Sequence, residues 1–129
     1  MPKIEHLALY CRNLEAMRFF YMAYFGAQCN EKYVNSTKGF ESYFLTFDEG
    51  SRLELMAKTS IIEGEKPGFE QLGYTHMAMS VGSKDEVDRL TEALREDGFV
   101  VVGECRTTGD GYYESVVLDP EGNRIEITV

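Results

Sequence analysis

The amino-acid sequence predicts an α+β fold made of two tandem βαβββ modules. Three observations carry this reading. A strand-like segment followed by an amphipathic helix and three further strand-like segments occurs twice, glycines and other turn formers separate the elements, and polar residues recur at a nearly constant offset. Module one spans about residues 1–57, a polar linker covers 58–72, and module two spans about 73–129, all within a single domain.

The first strand is expected from Ile4 to Tyr10, where apolar residues mark both faces of an extended segment. Asn13 opens a helix, because its side chain can accept from an otherwise unpaired helix N–H. Leu14, Met17, Tyr21 and Tyr24 recur at spacings of three and four and form the face that packs on a sheet. Gly26 ends the helix by adopting the left-handed conformation at low cost. Strands follow at Cys29–Asn35, Glu41–Phe47 and Arg52–Ala57, with Gly39 and Gly50 turning the chain between them.

In module two the first strand is expected from Tyr74 to Val81. Ser83 and Glu86 have the spacing of a capping box, and Val87, Leu90 and Leu94 form the apolar face of a helix ending before Gly98. Phe99–Cys105, Tyr112–Leu118 and Arg124–Val129 complete the module, with Asp119-Pro120-Glu121-Gly122-Asn123 as the last turn.

The repeat extends to individual residues. His6-Leu7-Ala8-Leu9 matches His76-Met77-Ala78-Met79 at an offset of 70 (76 minus 6), and Arg52-Leu53-Glu54-Leu55 matches Arg124-Ile125-Glu126-Ile127 at 72 (124 minus 52). Alternation along a strand puts His6 and Glu54 on the face opposite the leucines, and His76 and Glu126 on the face opposite Met77, Met79, Ile125 and Ile127. Each module therefore offers one imidazole and one carboxylate, and these are the only two histidines in the chain. Such donors suit Zn, Ni, Co, Mn or Fe, and the lack of cysteine beside them speaks against a closed thiolate site.

Composition narrows the partners. With 22 acidic and 13 basic residues the formal charge is −9, which disfavours nucleic acid and anionic membrane surfaces. Three widely spaced cysteines do not form a disulfide framework, the N-terminal residues lack the apolar run of a secretory segment, and no stretch reaches membrane-spanning length. A cytoplasmic protein acting on a small molecule is the expectation.

With the four residues His6, Glu54, His76 and Glu126 in these positions, the chain resembles the vicinal oxygen chelate superfamily, which includes glyoxalase I, extradiol dioxygenases and bleomycin-binding proteins. The resemblance covers nearly the whole sequence and is strongest to glyoxalase I, through the order His, Glu, His, Glu. It implies a cupped mixed sheet around a metal site with helices on the outer face. It further implies one divalent ion per site, Zn or Ni foremost, and a homodimer in which the two modules supply half-sites within one chain or across subunits. The implied reaction is that of a lyase or isomerase acting on a vicinal-oxygen substrate such as a hemithioacetal, through a metal-stabilised enediolate. Glu126 is the first choice as base and Glu54 the second. Extradiol-type ring cleavage and non-enzymatic drug binding are the alternatives on the same scaffold.

Arg12, Arg52 and Arg124 are candidate substrate-binding residues, while Phe44, Tyr112 and Tyr113 could line an apolar pocket. Glutathione-dependent members carry an arginine four residues after the first ligand and an asparagine four residues after the second. Here Tyr10 and Lys58 stand at those places, so the resemblance does not carry glutathione over as the thiol.

Overall fold

A computed structural model describes residues 1–64 and 71–129. The chain divides into two compact units, residues 1–64 and 65–129. The central part of the expected linker, including Pro67 and Gly68, lies outside the described residues. Among the described residues, no helix is long and apolar enough to cross a membrane.

In the first unit the elements are β1 (His6–Tyr10), α1 (Leu14–Phe25), β2 (Gln28–Cys29), β3 (Tyr33–Asn35), β4 (Phe40–Thr46) and β5 (Arg52–Lys58). The sheet order is β1-β5-β4-β2, with β3 also on β4, and only the β1–β5 pair is parallel. Asn13 caps α1 as expected, its side chain accepting from Ala16 N at 3.0 Å, and Gly26 terminates the helix at φ 68°. The buried helix face is Leu14, Met17, Phe20 and Tyr21, which meets Tyr43, Leu45, Leu53 and Leu55 of the sheet's buried side. Phe20 takes the core place expected of Tyr24, which is only half-buried.

The single strand expected over Cys29–Asn35 is instead two short ones. Asn30 interrupts the regular ladder: its own N–H donates to Phe44 O at 3.2 Å, while its side-chain oxygen, rather than a backbone carbonyl, accepts from Phe44 N at 2.9 Å. A short polar side chain competing for backbone groups breaks a strand in this way.

The second unit follows the expected order, with β6 (His76–Ser80), α2 (Lys84–Glu96), β7 (Val101–Thr107), β8 (Tyr113–Leu118) and β9 (Arg124–Thr128) in the sheet order β6-β9-β8-β7. Again only the pair formed by the first and last strands is parallel. Ser83 caps α2 by accepting from Glu86 N at 3.2 Å, but the reciprocal half of the capping box is not made. The Glu86 carboxylate instead grips Arg89, one turn along, with two contacts of 2.8 Å. Val87, Leu90 and Leu94 pack with Val117, Ile125 and Ile127 to form the core.

The turn into β9 is held by Asp119, whose Oδ1 accepts from Glu121 N at 2.9 Å and from Asn123 N at 3.0 Å. This nearly buried carboxylate fixes where β9 begins, and therefore where Glu126 stands.

Candidate metal centre

Register places the candidate donors. In the parallel ladder β1–β5, His6 pairs with Arg52 and Ala8 with Glu54; in β6–β9, His76 pairs with Arg124 and Ala78 with Glu126. The register is the same in both units. Histidine and glutamate are thus diagonal neighbours on one sheet face, and the small alanine opposite each glutamate leaves room for the two side chains to meet.

They do meet within each unit. His6 Nε2 lies 3.7 Å from Glu54 Oε1, and His76 Nε2 lies 3.3 Å from Glu126 Oε2. The carboxylates are the more withdrawn partners, with side chains 16% and 23% exposed against 39% and 35% for the imidazoles. Donors bound at 2.0–2.2 Å to one ion stand about 3.0–3.4 Å apart at neighbouring coordination positions. The second pair meets that spacing as it stands, and the first, at 3.7 Å, would have to close by a few tenths of an ångström to share an ion. Neither unit reaches three donors by itself: among the described residues, no group of three or more His, Cys, Asp or Glu side chains is gathered to hold a metal.

The surroundings of the two pairs differ. His6 turns its other nitrogen, Nδ1, toward Glu5 Oε1 at 3.6 Å, and its ring stands edge-on to Phe44 at 5.4 Å between centroids. Arg52 forks onto Glu5, donating from Nε to Oε2 at 2.9 Å and from its terminal nitrogen to Oε1, and its guanidinium lies over the Phe44 ring at 4.1 Å. Hydrogen bonding from Arg52 holds the Glu5 carboxyl below its usual range, so this carboxylate stays ionised beside the imidazole. An acidic partner on the second ring nitrogen is the arrangement that orients a ligating histidine.

Beside the second pair is a residue that sequence reasoning missed. Glu114 is pushed up to about 7, first by hydrogen bonding with the Glu126 carboxyl and then by burial. Its Oε2 is buried without a hydrogen-bond partner among the described residues. Strand alternation contained the signal, since Glu114 shares a face with Val116, the direct partner of Glu126. The repeat did not expose it, because the place 72 residues earlier (114 minus 72) is Ser42.

The candidate substrate residues are largely engaged elsewhere. Arg12 pairs with Glu63, Arg52 is held by Glu5, and Arg124 lies on β9 two residues before Glu126. Phe44 is on the donor face. Tyr112 is exposed, and Tyr113 turns to the helix side, where its hydroxyl donates to Asp88 and Lys84 lies over its ring at 5.1 Å.

A family model for the Glyoxalase/Bleomycin resistance protein/Dioxygenase superfamily matches residues 3–127. The chain belongs to this superfamily. Among its relatives, this superfamily member is 27% identical over 131 residues to YqjT, an uncharacterised Bacillus subtilis (strain 168) protein, with 96% of each chain covered. A possible glyoxalase from Bacillus cereus has a similar structure, with a TM-score of 0.70 at 26% identity over 98% of this chain and 97% of the other. The fold is also similar to that of a trypanothione-dependent glyoxalase I from Leishmania major, with a TM-score of 0.77 at 20% identity over 99% and 86% of the two chains. The α+β superfamily fold, expected from the repeated elements, is thereby established, as is the resemblance read from the sequence.

Proposed function

We propose that this protein is a metal-dependent lyase or isomerase of the glyoxalase I type, acting on a small vicinal-oxygen substrate such as a hemithioacetal. The observation that carries the reading is the duplicated histidine–glutamate pair, in the same register of both modules and at 3.7 and 3.3 Å. Likeness to the possible glyoxalase from Bacillus cereus supports it.

In this reading His6, Glu54, His76 and Glu126 hold one divalent ion, Zn or Ni foremost, with Co, Mn and Fe as the other candidates. Each site takes one pair from each module, within one chain or across a homodimer. When bound, the ion supplies Lewis acidity that polarises the substrate oxygens. His6 Nε2 and His76 Nε2 serve as fixed neutral donors, with the Glu5 carboxylate orienting the first ring. The Glu126 carboxylate takes the proton from the substrate carbon and returns it to the neighbouring carbon, with Glu54 as the other carboxylate able to do so.

The test is calorimetric titration of metal-stripped protein with Zn and with Ni, for the unchanged chain and for His6→Ala, Glu54→Ala, His76→Ala and Glu126→Ala. Each variant is expected to lose more than the roughly 10–100-fold that removal of an outer partner costs. Near-unchanged affinity in any two rejects the four-donor assignment. Turnover of thiol hemithioacetals by the reloaded protein then tests the reaction; oxygen uptake with catechols would replace it with ring cleavage.

A further inference from the structure

Arg52 touches both groups that flank the His6 ring. Its guanidinium forks onto the Glu5 carboxylate, from Nε to Oε2 at 2.9 Å and from a terminal nitrogen to Oε1, and it lies over the Phe44 ring at 4.1 Å from the centroid. Glu5 Oε1 in turn stands 3.6 Å from His6 Nδ1, and the Phe44 ring meets the His6 ring edge-on at 5.4 Å between centroids. We propose that Arg52 is a positioning residue, which through Glu5 and Phe44 sets the His6 imidazole with Nε2 toward Glu54 and makes the first half-site the pre-organised one.

The sheet assembles this clamp. Arg52 is the direct partner of His6 in the parallel ladder of β1 and β5, and Phe44 is the direct partner of Glu54 in the antiparallel ladder of β4 and β5, so alternation leaves all four residues on one face. The chain entering β1 is tied down as well. Arg52 N donates to Glu5 O at 2.9 Å and Ser51 Oγ to Ile4 O at 2.5 Å, which holds Glu5 where it reaches both Arg52 and His6. An exposed ion pair by itself orders little, because two long side chains lose their freedom for a modest gain in water. Here the fork fixes the guanidinium edge while the aromatic ring fixes its plane, and an arginine held in both ways is pre-organised.

A guanidinium has donors only, so Arg52 can neither ligate an ion nor take a proton, and its effect reaches the site through its neighbours. The repeat supplies a comparison within the chain. Arg124 stands opposite His76 as Arg52 stands opposite His6, but Thr75 precedes His76 where Glu5 precedes His6, and Val116 stands opposite Glu126 where Phe44 stands opposite Glu54. Threonine and valine offer neither a carboxylate nor an aromatic face, so the same clamp cannot be built beside His76. The two histidines, alike in register, are thereby unequal, since only His6 is held by this clamp before an ion arrives. The consequence for ion affinity rests on the proposed metal site, whereas the hold on the ring does not.

The experiment uses metal-stripped full-length protein with labelled aromatic side chains. The chain has two histidines, and His76→Ala assigns their ring signals. Cross-relaxation between the His6 and Phe44 ring protons should be present in the unchanged chain and lost in Arg52→Gln and in Glu5→Ala, with circular dichroism verifying that both variants fold. In calorimetric titration with Zn, each variant should bind about 10–100-fold more weakly than the parent. The double variant should lose clearly less than the product of the single losses, because Arg52 acts through Glu5. His6–Phe44 contacts that survive both substitutions, losses of affinity that simply multiply, or a parent affinity for Zn that neither substitution changes would overturn the proposal. A parent chain that holds the ring in this way yet binds no Zn would overturn the metal-site reading and leave the hold of Arg52 on His6 standing.

Discussion

Ala78 lies directly opposite Glu126 in the parallel ladder between β6 and β9, so the glutamate faces a single methyl group across the strand pair. Replacing it by leucine keeps an exposed strand position apolar but fills the space in which His76 and Glu126 meet. Ala78→Leu is therefore expected to fold with a melting temperature close to that of the parent while weakening Zn binding roughly tenfold or more. Calorimetry checks the affinity, and unchanged binding would show that the alanine has no part in donor placement.

The half-sites lend themselves to complementation. His6→Ala and His76→Ala proteins are each expected to be defective in metal binding and turnover. If sites are shared across a twofold, co-refolding them produces a heterodimer with one site lacking both histidines and one with all four donors intact. Partial recovery of both activities is the expected outcome of that arrangement. No recovery in a demonstrated heterodimer would assign each site to a single chain.

Tyr113 gives a pH signature away from the donors. Its hydroxyl donates to Asp88, and this hydrogen bond, followed by burial, pushes the phenol up to about 12. Because the folded value lies above the ordinary value near 10, the contribution to stability is full below pH 10 and is lost as pH rises toward 12. Ultraviolet titration should show Tyr113 ionising late, along with Tyr43, which burial and its hydrogen bond to Glu15 also raise, and Asp88→Asn should move only the Tyr113 component back toward 10. A spectrum unchanged by that substitution would contradict the assignment.

In the core of the second unit, Thr91 Oγ1 and Ser115 Oγ are 2.7 Å apart, and Thr91 also donates to Val87 O at 2.6 Å. Thr91→Val keeps the shape but leaves Ser115 without its buried partner, for an expected loss of about 1–3 kcal/mol in urea denaturation. Thr91→Val combined with Ser115→Ala should lose less than the sum of the single changes, because neither hydroxyl then remains to be satisfied. Strict additivity would show that the pair is not coupled.

The sequence by itself determined what depends on near neighbours in the chain. Helix limits followed from Asn13, Gly26 and Ser83, since caps act within one turn, and the facing of His6, Glu54, His76 and Glu126 followed from strand alternation. The repeat itself was legible because two modules of one design need the same polar residues in the same places. Only tertiary structure decided the rest, through pairings between distant segments. Register across β1–β5 and β6–β9 made each histidine and glutamate diagonal neighbours, the Asn30 side chain divided one expected strand into two, Glu5 took Arg52, and β8 set Glu114 beside Glu126. Alternation tells which face a residue occupies; the ladder bonds between strands decide which residue from elsewhere in the chain stands next to it.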